Sequence, residues 1–405
     1  MIFGQSINGR VTSSVYFFER ADTKEASSVN ATGYHYANLN LNYGNFSLRT
    51  SLNADNFFNF DAPARLRVYN LYIESRKLFN IATVRIGRQP IFNSVLGGNF
   101  DGVMVDLNYS QVGLKAYYGG NVPAYQKLEF TDDLSNDFVL SGELSTSIIP
   151  GVFVAAGYTD KNFKTTSYTA LRLDENFNPI NVLIWEKSNQ FKLLHGRLNI
   201  GLVEDFMLST KYEYDLNYKT TSRVEANLVN TSVENLLLEG YVNYREPRVR
   251  YNSIFAVFDF ANQMEYELGG TYSFNPQLNL FVRGGLVQYN DDNSGRITVG
   301  LGTSHGTVSY RKTFGYAGEL DAISVYGAKS FFDGLVTPSV GITYASYKLS
   351  ADSEKNDLLT FLAGVNFRSL RYLSFDIQAQ YLKNKIYKDD LRAIFKVNYW
   401  FNSIL

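Results

Sequence analysis

Apolar and polar side chains alternate one by one along almost the whole of this chain of 405 residues. From Met264 to Phe274 every second residue is apolar or glycine, and the residues between them are mostly polar. The segments 103–109 and 373–381 repeat this pattern. A period of two places one set of side chains on each face of a β-strand. Since no segment of about a dozen residues has convincing helical periodicity, the sequence predicts an all-β protein.

Two kinds of separator divide the alternating segments, and they follow each other in turn along the chain. The tight separators are 44–45, 245–248, 275–277, 305–306 and 368–372. The longer, polar separators are 19–33, 56–64, 91–101, 121–137, 161–188, 217–233, 289–295 and 347–357. Short turns alternating with long loops are typical of transmembrane antiparallel β-barrels of the bacterial outer membrane, so we predict a single barrel domain over 1–405 with about 22 strands, in a range of roughly 18–24.

The predicted strands have the length and the composition of strands that cross a membrane. Each runs for about ten residues, which is enough for a tilted strand to cross the hydrocarbon layer. Charged residues such as Arg49, Lys115 and Glu143 fall on one face, and the other face is almost free of charge. Outward aromatic residues such as Tyr43 and Phe274 fall near strand ends, as in interfacial girdles. A soluble β-sandwich or propeller, which would also alternate, is the alternative fold.

Composition excludes several classes of function. The formal net charge of -1 at pH 7 argues against a strongly basic nucleic-acid binder. The chain has no cysteine, which excludes a disulfide framework, a thiolate metal site and haem attached to its own thiols. We expect no cofactor and no metal.

The two ends of the chain agree with an exported barrel. Residues 1–5 lead almost directly into a strand, so we interpret Met1 as a start codon added to a mature sequence whose export signal was removed. The final alternating strand carries Tyr399, Trp400 and Phe401 and resembles the recognition strand of outer-membrane barrels. We therefore expect the bacterial outer membrane as the location, with membrane lipid and lipopolysaccharide around the barrel.

One local motif resembles known outer-membrane families. The segment 84–89, which ends Gly-Arg-Gln, is followed after a loop by Asp101-Gly102 at the opening of the next strand. This arrangement resembles several porin families, including alginate-export-type barrels, over about 20 residues. The resemblance implies a pore, with the loop after Arg88 folded into it. A mechanical interpretation also stands, in which Gly87 eases a bend and Asp101-Gly102 makes a turn.

Basic residues on the charged face are the candidates for the lining of the pore. The candidate pore-lining residues are Arg85 and Arg88 first, then Arg65, Arg67, Arg283, Arg296 and Arg311. Opposed rings of arginine and carboxylate can set the field inside a pore. The simpler alternative is a solvated polar wall held by salt bridges. The residues predicted to face lipid are Leu268, Leu280, Phe395 and Val397.

The other reactive residues offer little chemistry. His35, His195 and His305 are too scattered for a metal cage or a catalytic triad, although a hydrolase centred on His195 stays open as a third hypothesis. The glycines of 300–306 lie in a strand and a turn without a following helix, which argues against a phosphate loop. The acidic segment 291–295 has too few ligands for a calcium site and is interpreted as a turn.

The favoured function is therefore a porin that passes small hydrophilic solutes, with the lumenal basic residues acting on anionic or polar solutes. No covalent chemistry is expected. A second hypothesis follows from the strand count, because 22-stranded barrels usually have a plugged lumen. In that case the barrel is a sleeve around a separate protein, either a multihaem cytochrome for electron transfer across the outer membrane or a lipoprotein plug or export partner. The 161–188 loop is the longest segment that could obstruct the lumen.

Overall fold

A computed structural model describes most of the chain. The described residues are 5–21, 27–58, 63–91, 95–164, 166–186, 190–247, 262–289, 292–315, 318–349, 353–385 and 389–404. Within these ranges, no helix is long and apolar enough to cross a membrane. A single turn of 3-10 helix covers Ala124–Gln126.

The described residues form 24 strands in order along the sequence. Their bounds are β1 (Gln5–Ala21), β2 (Ser27–Tyr43), β3 (Phe46–Phe57), β4 (Arg65–Leu78), β5 (Ala82–Pro90), β6 (Asn99–Tyr109), β7 (Val112–Asn121), β8 (Phe138–Thr146), β9 (Val152–Asn162), β10 (Thr166–Leu173), β11 (Pro179–Glu186), β12 (Gln190–Val203), β13 (Phe206–Asp215), β14 (Thr220–Val233), β15 (Leu236–Arg245), β16 (Gln263–Asn275), β17 (Leu278–Tyr289), β18 (Asp292–Thr303), β19 (Gly306–Gly315), β20 (Glu319–Ala328), β21 (Val336–Lys348), β22 (Asn356–Leu370), β23 (Leu373–Lys383) and β24 (Asp390–Ile404).

Twenty-two of these strands close into one antiparallel barrel, which confirms the predicted fold and strand number. Each wall strand pairs with its neighbour in sequence, except that β9 pairs with β12 across the inserted β10–β11 hairpin. The wall closes where β1 pairs with β24, in a register that runs from Ser6 opposite Ile404 to Phe18 opposite Arg392. Closure leaves no wall strand with an unpaired edge.

The two rims of the barrel carry different connections. The turn rim holds the short connections, including 44–45, 276–277 and 304–305, and the first residues of β1 and the last of β24 lie beside it. The loop rim holds most of the longer ones, such as 122–137 and the connection that contains the β10–β11 hairpin. This alternation of turns and loops confirms the predicted architecture.

Several predicted separators differ from the structure. The predicted loop 217–233 is mostly β14, and the predicted loop 289–295 is mostly β18, with only 290–291 outside the described residues between β17 and β18. The predicted loop 19–33 is narrower, because β1 and β2 extend into it. The predicted tight turn 245–248 is not a hairpin turn, because β16 begins only at Gln263, and 248–261 lies outside the described residues. Polar strands and loops share a composition, which is why these boundaries were misplaced.

The wall has an apolar face and a polar face. Leu268 is 75% exposed and alternates with the polar-face residue Glu267. The predicted lipid-facing residues Leu268, Leu280, Phe395 and Val397 all lie on the apolar face. Exposed apolar side chains are stable in contact with lipid, and polar side chains inside a barrel are stable in contact with water. We therefore assign the polar face to the lumen.

Candidate pore lining

Ion pairs between neighbouring strands run around the polar face. Arg65 and Arg67 on β4 both face Asp55 on β3, with nitrogen–oxygen distances of 3.7 and 3.1 Å. Arg85 Nε donates to Glu74 Oε2 at 2.7 Å. Each of these arginines lies beside a carboxylate, but Arg65 and Arg67 share Asp55, and Arg85 shares Glu74 with Arg76, so each carboxylate is paired with two cations. Arg65, Arg67 and Arg85 lie on the polar face as members of ion pairs between neighbouring strands.

Arg88 is placed differently from Arg85. The two residues are three positions apart on β5, so strand alternation turns their side chains to opposite faces. The Arg88 side chain is 1% exposed, and its guanidinium donates to both carboxylate oxygens of Asp101 at 2.8 and 2.7 Å. It also donates to the backbone carbonyls of Val68, Gln126, Lys127 and Glu129. The structure thus departs from the prediction that Arg88 lines the pore: it ties the 122–137 loop to the wall.

Glycine is required beside this cluster. Gly87 has a φ of +125°, and a Cβ atom there would lie 2.3 Å from the carbonyl oxygen of Leu71. A side chain at this position would therefore force β4 and β5 apart. The mechanical interpretation of Gly87 agrees with this geometry.

A second set of ion pairs covers the wall from β13 to β18. Arg283 faces Glu239 at 3.0 Å, and Arg296 lies 2.6 Å from Glu265 and also contacts Glu267. A cavity of about 320 Å³ opens between these side chains, lined by both arginines and by Glu225, Glu239 and Glu267. Three carboxylates and two guanidinium groups thus line this cavity, so acidic and basic groups are mixed in this sector.

Arg311 is an exception among the predicted residues. It lies on the polar face of β19, opposite Thr298 and Ala322, and is exposed. No carboxylate among the described residues lies within ion-pair distance of it. Arg311 therefore presents an uncompensated positive charge to the lumen.

The loop after β5 packs onto the polar face, as the resemblance implied. Val95 and Leu96 are buried against Leu193, which is 1% exposed and lies two residues before His195 on the same face of β12. At the base of the loop, Ile91 joins a buried cluster with Phe100, Met104, Tyr117 and Val139. Residues 92–94 lie outside the described residues. This loop narrows the lumen beside β12, toward the loop rim.

The 161–188 loop contains a hairpin that is separate from the barrel sheet. Its strands β10 and β11 pair with each other in a separate two-stranded sheet. Apolar residues of this hairpin are exposed, including Leu171 at 66% and Phe177 at 81%. The hairpin is therefore not part of the barrel wall, and its described apolar side chains are largely uncovered.

His195 lies in a sealed polar cluster. Its Nδ1 is 3.7 Å from Glu143, which also accepts a hydrogen bond from Arg197, and its Nε2 is 3.4 Å from Thr159 Oγ1. Thr159 Oγ1 is in turn 2.8 Å from Ser141 Oγ. Both side chains are buried, since His195 is 4% exposed and Thr159 0%. Among the described residues, no cluster of three or more histidine, aspartate or glutamate residues could hold a metal ion.

Sequence comparison gives no relative: no family model and no curated protein matches the chain. Comparison with solved structures, in contrast, finds proteins with a similar fold. A mutant of PfeA, the ferric enterobactin receptor of Pseudomonas aeruginosa, superposes with a TM-score of 0.64 and 11% identity over 97% of this chain and 80% of that chain. The fold is that of an outer-membrane β-barrel.

Two further solved barrels cover nearly all of the chain. The translocation pore of the P pilus usher PapC aligns with a TM-score of 0.51 and 10% identity, over 98% of this chain and 99% of that one. OccAB4 of Acinetobacter baumannii aligns over 99% of both chains with 10% identity, at a TM-score of 0.45. At these identities the likeness to PfeA and PapC shows the fold of an outer-membrane β-barrel and does not indicate a solute.

Proposed function

We propose that this protein is a porin of the bacterial outer membrane, through which small hydrophilic solutes diffuse passively. The observation that carries the proposal is a closed 22-strand wall whose inner face is polar and charge-paired. Such a wall wets readily and replaces part of the hydration of a passing solute. The proposal includes no covalent chemistry, and it is supported by the burial of His195, which has an acidic and a hydroxyl neighbour.

A preference for anions rests on the basic residues that no carboxylate neutralises. Arg311 on β19, together with Arg10 on β1 and Arg49 on β3, has no carboxylate within ion-pair distance among the described residues. Uncompensated guanidinium groups attract anions, most strongly where low-dielectric walls focus the field. In this proposal Arg85, with its carboxylate partner, contributes less to selectivity than these three residues.

The porin proposal is tested by measuring ionic currents through the protein. The purified chain, inserted in a planar bilayer, should give stepwise currents in potassium chloride, and under a salt gradient its reversal potential should indicate a modest anion preference. The preference should weaken as ionic strength rises, because the screening length falls to about 8 Å at physiological salt. Insertion without any conductance at either polarity would contradict the porin proposal.

The width of the lumen favours one alternative function, a sleeve around a separate protein. A lumen enclosed by 22 strands is as wide as those of transporters that hold a plug. The barrel would then be a sleeve around a separate protein, such as a multihaem cytochrome or a lipoprotein. Purification from native membranes with a stoichiometric second chain, and conductance only after its removal, would favour the sleeve over the porin.

A further inference from the structure

A cavity of about 650 Å³ lies on the polar face near the turn rim, at the seam between β1 and β24. We name it the Arg10 pocket; its lining includes Asn8, Arg10, Asn38, Asn40, Arg371 and Trp400. None of the residues that line it is acidic. Two basic side chains, amide groups and an indole ring thus share one cavity, which distinguishes it from the charge-paired wall around Arg296.

The charge of Arg10 is not neutralised by a neighbour. Its Nη2 donates to Asn398 Oδ1, and its Nε is buried without a hydrogen-bond partner. Asn398 in turn donates to Asp376 at 2.8 Å, but that carboxylate is already ion-paired with Lys396 at 3.1 Å. Arg10 therefore retains its positive charge toward the cavity.

Aromatic stacking fixes the position of this charge. The guanidinium of Arg10 lies over the Trp400 ring at 5.3 Å from the centroid, and that of Arg368 lies 5.8 Å from the same ring. With its Nη2 bonded to Asn398 and its Nε buried, Nη1 is the group of the Arg10 guanidinium that is left to donate to a carboxylate oxygen, in a charge-assisted hydrogen bond. Stacking also reduces the side-chain entropy that an anion would otherwise have to remove.

Amide groups surround this basic centre. The side chain of Asn40 donates to Asn8 Oδ1 at 3.0 Å and to Asn38 Oδ1 at 3.1 Å. Each primary amide has two donor hydrogens and an acceptor oxygen, so this row offers both kinds of partner to a hydroxyl group. Arg49, which also has no carboxylate within ion-pair distance among the described residues, lies opposite Asn40 on the neighbouring strand.

We infer that the Arg10 pocket binds an organic carboxylate that carries several hydroxyl groups. The carboxylate pairs with Arg10 and Arg371, and the hydroxyl groups exchange hydrogen bonds with the asparagine row. This inference rests on the proposed function, because the solute reaches the pocket through the lumen. The inference places the contact with the solute near the turn rim, at the seam between β1 and β24, and not at Arg85, which the sequence predicted.

The chain supplies its own reporter for a binding test. It contains two tryptophans, at 185 and 400, so Trp185→Phe leaves Trp400 in the pocket as the sole indole fluorophore. The folded barrel in detergent is titrated with three probes. D-Gluconate has the carboxylate and the hydroxyl groups, D-glucitol has the hydroxyl groups alone, and hexanoate has the carboxylate alone.

We expect a saturable change of Trp400 fluorescence with gluconate and a much weaker one with glucitol and hexanoate. Adding Arg10→Gln should weaken gluconate binding at least about tenfold, because a charge-assisted pair is lost. Arg371→Gln, in an exposed turn, is a second variant that disturbs the wall less. Arg85→Gln is the matched control for charge elsewhere on the polar face and should leave binding unchanged.

The inference is overturned if gluconate does not perturb Trp400, if glucitol acts equally well, or if neither pocket variant weakens binding in a barrel that folds normally. Bilayer conductance of the same preparation separates this result from the proposed function. A conducting barrel without gluconate binding contradicts the pocket alone. Gluconate binding in a barrel that never conducts contradicts the porin and upholds the pocket.

Discussion

Arg88 offers the sharpest energetic test of the structure. Replacing it by methionine keeps much of the apolar stem but removes the cation from Asp101, whose side chain is only 5% exposed. Four backbone carbonyls also lose their donor. Breaking a buried ion pair on one side costs about 3–5 kcal/mol, because the remaining charge is left without a partner. We expect a loss of that size in the free energy of unfolding, measured by urea titration of the barrel in lipid vesicles.

Two further variants test whether the unpaired charge of Asp101 causes the loss of stability. In the double variant Arg88→Met with Asp101→Leu no charge is left unpaired, so at least half of the lost stability should return. Arg85→Met is the matched single change: its side chain is 23% exposed, and Glu74 keeps Arg76 at 3.4 Å, so the cost should be about 1 kcal/mol or less.

A local measurement checks the role of Arg88 in holding the loop. Lys127 is exposed, and its carbonyl oxygen accepts a hydrogen bond from Arg88 at 2.6 Å. Loss of this bond should release the 122–137 loop and accelerate tryptic cleavage after Lys127 in the folded barrel. If Arg88→Met costs less than about 1 kcal/mol and cleavage is unchanged, the argument from buried charge is refuted.

Three other predictions address the faces and the loops. Leu268→Arg should cost about 2–4 kcal/mol in vesicles if this position lies near mid-bilayer, and unchanged folding would refute the lipid assignment. Arg311→Glu should shift the reversal potential toward cations, whereas Arg88→Met should not; the opposite pattern would contradict the assigned faces. The Lys164 ammonium lowers the pKa of the Asp132 carboxyl in the neighbouring loop, so their pairing persists at neutral pH and is lost as the pH falls through that lowered pKa. In Lys164→Gln the pKa of Asp132, followed by NMR titration, should rise toward its ordinary value, and no change would show that the two loops do not meet in solution.

The sequence predicted the wall well because the signal for a barrel is local. Each strand carries its own alternation, as in 264–274, and each tight turn, such as 44–45, is marked by its own residues. Boundaries failed where the lumen side of a strand is as polar as a loop. In β14 polar residues such as Glu225 and Asn227 conceal the alternation of the apolar face.

The residues that line the lumen were harder to predict than the wall, for two different reasons. Arg85 and Arg88 are an odd number of residues apart on one strand, so alternation alone contained the information that they face opposite sides. The meeting of Arg10 with Trp400 was not available locally, because 389 positions separate them and only closure of the barrel brings β1 beside β24. The ion pairs are an intermediate case, since Glu74 and Arg85 face each other only once the β4–β5 register is known.

The pairing of β1 with β24 also has a consequence for synthesis, because the barrel cannot close until both strands have been made. The 13 positions of β1 from Ser6 to Phe18 pair with residues 392–404, which are synthesised long after β1. At about 5–20 residues per second, roughly 20–80 s separate the synthesis of the two partners. Throughout that interval the edge of β1 that pairs with β24 is free, and any other strand could pair with it. The nascent chain therefore depends on a factor that keeps this edge unpaired until β24 has been synthesised.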